Sequence, residues 1–262
     1  MKIVVCVKHV PDAQADRTFA ADTTTDREAV DGLLSELDEY AVEEAVRLKE
    51  SGDLGDDVEV VALTVGPDDA RDALKKALQM GADSAVHVSD EAVHGSDAVG
   101  TSLVLAKALE RLGADLVLTG MASTDGAMGV VPAMVAERLG LPQVTYAAEV
   151  TVSGSTVRIR RDGDASTETV EASLPALVSV TDQINEPRYP SFKGIMAAKK
   201  KPVEELTLAD LGVDAGEVGL DAAWTTALEA EARPPKQAGT VVTDEGDGAT
   251  RLVEFLATQR LV

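Results

Sequence analysis

The chain has one cysteine, one tryptophan and only 3% aromatic residues among its 262. A single thiol, Cys6, excludes an internal disulfide. With no secretory leader pattern at the start, a cytoplasmic location is the expectation. So few rings leave the core to Ala, Val and Leu, and leave little to stack on a flat cofactor unless another chain supplies it. No apolar run reaches the length of a membrane-spanning helix, and the opening MKIVVCVKHV reads as a strand. Basic residues are also scarce: 24 Lys and Arg against 46 Asp and Glu give a formal net charge of -22. That balance repels phosphate backbones, so no nucleic-acid partner is expected, and docking onto basic partners is favoured.

The familiar chemical motifs are missing too. No GxxxxGK[ST], no GxGxxG after a strand, no HExxH and no G-x-S-x-G occurs, and no metal-ligand cluster or nucleophile–base pair stands out. The three histidines are scattered. His87 falls inside an apolar strand and reads as a core residue. His9, at a strand end, could line a site. Cys6 lies within the first strand and reads as a small hydrophobe, not a nucleophile.

What is present is alternation. The apolar, β-branched runs Lys2 to Lys8, Val58 to Gly66, SAVHV and ADLVLTG read as strands. Each is followed by a helical pattern. SELDEYAVEEAVRLKESGD has acids early and bases late. PDDARDALKKALQMGAD opens on Pro67 and stops at Gly81. SDAVGTSLVLAKALERLGAD offers Ser96 as a cap, and GAMGVVPAMVAERLGLP starts near Ala127. Residues 12–31 read as a long loop or weak hairpin. From Gln143 the period becomes two around an Asp-Gly turn, which predicts an antiparallel hairpin, and LPALVSVTD is another buried strand. The fold class is therefore α/β: an open, mostly parallel, Rossmann-like sheet of the adenine-nucleotide-binding kind, with an added hairpin and a C-terminal arm. Residues 1–213 form the expected nucleotide-binding domain. Residues 214–262, with little to bury alone, form an arm that ends in a helix and packs on something else.

In such sheets ligands bind beyond the C-terminal strand ends. Three of these ends carry small residues: Cys6-Val7-Lys8, Thr64 to Pro67, and Thr119 to Gly126. The last, a Gly/Ser/Thr/Asp loop leading into a helix, suits a phosphate, although an ordinary strand–helix loop looks the same. The residues alone give an α/β nucleotide binder with no evident catalytic apparatus.

One longer stretch is more specific. VTDQINEPRYPSFKGIMAAKKKP resembles the signature of the β subunits of electron transfer flavoproteins. VCVKHVPD, DEYAVEEAVRLKE, ALTVGPDDARDALKKALQMGAD and LVLTGMASTDG resemble other parts of the same family, so the likeness runs from residue 1 to about 213. It implies an electron carrier, not an enzyme, that pairs with an electron transfer flavoprotein α subunit. FAD is held mainly by that partner, and AMP by this chain. Carried over by position, the AMP site would comprise Cys6, Ser35, Leu37, Asp38, Val65, Gly120, Ala122, Ser123, Thr124, Asp125, Gly126, Gly129, Val130 and Val131. Met121, Ala122 and Val130 replace polar residues usual in that loop, which leaves backbone contacts there. Ala13 stands where some members carry a tyrosine beside the flavin.

The resemblance also implies a docking loop for acyl-CoA and similar flavin dehydrogenases, formed by Tyr189, Pro190, Ser191, Phe192, Lys193, Gly194, Ile195, Met196, Lys199 and Lys200. Phe192 would be its anchor, with Asn185, Glu186 and Arg188 pinning its base. Electrons would pass on to a membrane quinone oxidoreductase. Two rival readings remain at this point. One is an electron-bifurcating relative with a second FAD in the β site. The other is a free-standing ATP-binding α/β protein.

Overall fold

The computed structural model describes residues 1–55, 57–235 and 239–262. The chain divides into two compact units, Met1–Glu229 and Ala230–Val262.

The first unit is built on seven parallel strands. In chain order they are β1 (Lys2–Cys6), then, after the short pair β2 (His9–Pro11) and β3 (Gly32–Leu34), β4 (Glu59–Val65), β5 (Ser84–Val88), β6 (Leu116–Gly120) and β7 (Gln143–Ala147). After a separate sheet, formed by β8 (Glu149–Ser153), β9 (Thr156–Asp162) and β10 (Thr167–Ser173), come β11 (Ala176–Val180) and β12 (Val203–Leu206). The large sheet has the order β12-β5-β4-β1-β6-β11-β7. Two of its central strands, LVLTG and ALVSV, are buried at every residue because helices cover both faces. On one face α1 (Glu36–Glu50) and α2 (Arg71–Met80) pack Ala41, Val42, Ala45, Leu74 and Ala77 onto Ile3, Val5, Val60 and Leu118. On the other, α3 (Ala98–Leu112) and α4 (Val131–Leu139) pack Val104, Leu109 and Val135 onto Val4, Val61, Val117 and Leu177.

Helix limits follow local chemistry. Glu36, Asp38 and Glu39 sit in the first turn of α1, and Arg47 and Lys49 in its last, complementing the helix dipole. Gly81 ends α2 at φ +142°. The cap of α3 is Asp97, not Ser96: its carboxylate accepts from Val99 N and Gly100 N. Ser96 instead donates to Val93 O and accepts from Gly219 N. The start of α4 also differs from expectation. Ala127 and Gly129 hold positive φ, which a right-handed helix cannot use, so the helix begins at Val131, with Pro132 in its first turn.

The period-two region divides in a way the alternation alone did not show. Gln143–Ala147 joins the large sheet beside β11, and β8–β9–β10 form an antiparallel sheet of three strands instead of one hairpin. Val150, Val157 and Ile159 turn inward, and Arg158 and Arg160 pair outward with Glu171 and Glu149. β12 extends the edge beside β5 where no strand was expected. Residues 12–31 are mostly loop, with one bridge between Phe19 and Thr25.

In the second unit, α6 (Gly248–Thr258) leaves Leu252, Val253 and Phe255 more than half exposed. No helix among the described residues is long and apolar enough to cross a membrane.

Candidate functional site

The chain builds outward from β1 in one direction, to β4 and β5, then crosses back to place β6 on the other side of β1. The carboxyl ends of β1 and β6 therefore face a crevice, the switch point where open α/β sheets take ligands. A cavity of about 300 Å³ lies there.

Its base is set by one buried side chain. Asp38, in the first turn of α1, accepts from Lys8 N at 2.9 Å and from Gly120 N at 3.3 Å. It thus ties together the two strand ends, whose amides would otherwise lack a ladder partner. Burial pushes its carboxyl up to about 7, although the two backbone bonds favour the charged form. Gly120 is required by this contact: a Cβ would stand 2.5 Å from Asp38 Oδ1 and 2.8 Å from Leu37 O. Cys6 is half-buried in the cavity wall. Burial first, and then the Asp38 charge, push its thiol up to about 12, which disfavours the reactive thiolate.

The loop after β6 is braced from beneath. Asp125 accepts from Lys8 Nζ at 2.9 Å and from Arg27 Nη2 at 2.7 Å, with its side chain only 3% exposed. Burial opposes its charge, but Lys8, a Ser123 hydrogen bond and Arg27 outweigh that and hold the carboxyl well below the usual range. Arg17 adds a bond to Thr124 O at 2.9 Å. The 12–31 loop is thereby strapped to the 120–131 loop by two cationic side chains, Arg17 and Arg27, with Lys8 adding a third from the end of β1.

Of the residues expected to hold a nucleotide, Cys6, Asp38, Val65, Gly120, Ala122, Ser123, Gly126, Gly129 and Val131 line the cavity. Ser35, Leu37, Thr124, Asp125 and Val130 lie outside its lining and act around it. Ser35 is fully buried before α1 and accepts from Thr124 N at 3.4 Å. The Leu37 carbonyl stands where a Cβ on Gly120 would fall. Val130 precedes α4, which no side chain caps, leaving its first amides free to meet an anion. His9 packs over Gly32 and does not line the cavity. His87 is a core residue as expected, with Nε2 2.9 Å from Gly66 O.

Several lining residues fall outside the expected site: Pro132 and Val135, and Asp97, Thr101 and Leu105 of the α3 region, while Lys8 and Thr119 were expected only as members of two of the strand ends. Lys8 had a signal, as a lone cation directly after an apolar strand. The α3 residues had none, because only the crossing of the chain brings them there. The lining is mostly aliphatic with a polar rim, which suits a base and ribose inside and a phosphate at Ser123, Gly126 and α4.

The second site is the segment from Asn185 to Lys200. Arg188 donates to both Glu43 oxygens, at 2.7 and 3.0 Å, and to both Glu50 oxygens, at 2.8 Å each. Asn185 Nδ2 donates to Tyr40 O and to Glu44 at 3.1 Å. All four partners belong to α1. Beyond this anchored base the chain enters the short α5 (Phe192–Ala198), capped by Ser191, whose Oγ accepts from Gly194 N. A Cβ on Gly194 would stand 2.6 Å from Gln79 O, so glycine permits α5 to sit on the end of α2. Tyr189 and Phe192 then project with 93% and 81% of their surface exposed, beside Ile195 and Met196. Lys193, Lys199 and Lys200 are exposed around them. Lys201 is not: its Nζ donates to Leu78 O and Ala82 O at the end of α2.

Comparison with known proteins agrees with this architecture. A family model described as the electron transfer flavoprotein domain matches residues 22–211. The chain is 49% identical to the electron transfer flavoprotein subunit beta of Mycobacterium tuberculosis (strain ATCC 25618 / H37Rv), over 99% of both chains. Its similarity to the Mycobacterium leprae subunit beta is also 49%, again over 99% of each. It is 33% identical to the Megasphaera elsdenii subunit beta over the whole of both.

Proposed function

The chain belongs to the electron transfer flavoprotein family as a β subunit, and from that premise we propose that it joins an α subunit to form an electron carrier. FAD, held mainly by the α subunit, supplies the redox chemistry. This chain covers the flavin, holds AMP in the cavity between β1 and β6, and offers Phe192 to acyl-CoA and related flavin dehydrogenases. Its electrons go on to a membrane quinone oxidoreductase.

The cavity carries the proposal. It opens at the switch point, between the Asp38 clamp and the uncapped start of α4. Its volume of about 300 Å³ stands at the lower end of the range for ligand sites, which favours a mononucleotide over a second FAD. The aliphatic lining suits an adenine gripped by packing instead of aromatic stacking. The AMP is structural: it binds the folded sheet alone and so stabilises it by mass action.

The exposed ring of Phe192 supports the docking role. A large apolar side chain on a braced loop costs solubility, and an aromatic anchor is what a transient interface uses. The C-terminal unit, with the apolar side chains of α6 exposed, is assigned to the α-subunit interface.

The test is the nucleotide content of the purified pair. One FAD and one AMP per heterodimer are expected. Two flavins would replace this reading with the bifurcating one. Tight ATP binding by the chain alone, with no flavin acquired on adding an α subunit, would overturn it altogether.

A further inference from the structure

The floor of the cavity holds a polar side chain with nothing to bond. Thr119, on β6, is nine-tenths buried and lines the cavity, and its Oγ1 is buried without a hydrogen-bond partner. Strand register sets its direction. Cys6 is its partner on β1 and Ser179 its partner on β11, and in parallel pairing such partners leave the same face. That face is the one covered by α3 and α4. The Ser179 hydroxyl is occupied, accepting from Tyr146 N at 3.0 Å. The Thr119 hydroxyl is not. A valine would occupy the same volume, so packing alone gives no reason for an oxygen at this position.

We propose that Thr119 Oγ1 is the floor contact of the bound nucleotide, hydrogen-bonded to the edge of its base. The inference rests on the adenylate reading of the cavity. Position assigns the base end. The groups suited to phosphate, Lys8, Ser123 and the start of α4, stand on the rim beyond the strand ends. Thr119 lies one residue deeper, where Leu105 and Val135 wall the slot. A flat, weakly charged ring fits between aliphatic walls, and a doubly charged phosphate does not. With so few aromatics in the chain, one buried hydroxyl gives the slot a polar discriminator that packing cannot, because a ligand unable to pair it leaves it unsatisfied.

The experiment is titration calorimetry with AMP and with adenosine on the assembled αβ pair, stripped of nucleotide. Thr119→Val should weaken AMP about 5- to 10-fold, the worth of one hydrogen bond. It should weaken adenosine by the same factor, because the contact is on the nucleoside. Thr119→Ser, which keeps the hydroxyl, should stay within about twofold of the parent. The nucleotide-free Thr119→Val protein should melt higher than the parent, since an unpaired buried hydroxyl is gone. A lower melting temperature would mean that the hydroxyl serves the fold, and would overturn the proposal. Wild-type AMP affinity in Thr119→Val would overturn the contact and leave the adenylate reading standing. A loss for AMP but not adenosine would move the hydroxyl to the phosphate, against the proposal. No AMP binding by the parent would end both readings.

Discussion

Around the crevice the chain carries charge inward, whereas between Asn185 and Lys200 it carries apolar surface outward. Asp38 and the Asp125 side chain are nearly out of water. Tyr189 and Phe192 are nearly all in it. Folding alone favours neither arrangement. Each is sustained by a specific device. Asp38 is held by two backbone amides and Asp125 by two cations. The exposed rings are held by an arginine that spans two glutamates. Function in this fold is therefore read most directly where the burial rule is inverted, in either sense.

The contrast can be tested by breaking each device in turn. The largest effect is expected from pH. The Asp38 carboxyl is raised from 3.8 to about 7 in the fold, so the unfolded chain gives up that proton first. Its contribution to stability is full below about pH 4 and is lost as pH rises to about 7, a span worth on the order of 4 kcal/mol. The stability advantage of the parent over Asp38→Asn, followed by denaturant unfolding across that range, should shrink as pH rises. A constant difference would show that burial does not tax the charge. Next comes Gly120→Ala, whose Cβ would meet Asp38 and the Leu37 backbone. Overpacking of this kind costs ~2–3 kcal/mol, and the variant should also lose AMP. A fully stable variant that binds AMP would mean the strand ends can move apart.

Arg188→Ala leaves Glu43 buried without its partner. Discounted for the arginine's own partial exposure, the loss is about 2 kcal/mol. FAD should be retained and reduction by a dehydrogenase slowed, as seen by stopped-flow. The smallest stability effect is expected for Phe192→Ala, within about 0.5 kcal/mol. Its kinetic effect should be clear, a loss of roughly tenfold or more in dehydrogenase coupling. Unchanged coupling would remove the ring from the docking site.

Much of the sheet was legible because its signals are local. β-branched runs gave the central strands, and Gly81 marked the end of α2. The 185–202 stretch announced itself by composition, with aromatics, prolines and lysines gathered in an acidic chain. The misses are non-local. Asp97 outcompetes Ser96 as a cap because its second oxygen is also claimed by Trp224 N and Thr225 N, far along the chain. β12 is a strand only because β5 offers an edge. Asp125 could be seen as a loop carboxylate, but its cations lie 117 and 98 residues away. Thr119 looked like the last residue of a strand, and only register and burial reveal an unpaired hydroxyl.

Both unusual regions share one helix. Ser35 and Asp38 at the head of α1 hold the crevice, and Glu43, Glu44 and Glu50 further along hold the loop. Fifteen residues of α-helix make a strut about 22 Å long. Under the proposed function, the adenylate site and the base of the docking loop would therefore be fixed to the two ends of one rigid strut. On that reading, a ligand that firms the crevice would also steady the footing from which the exposed rings project.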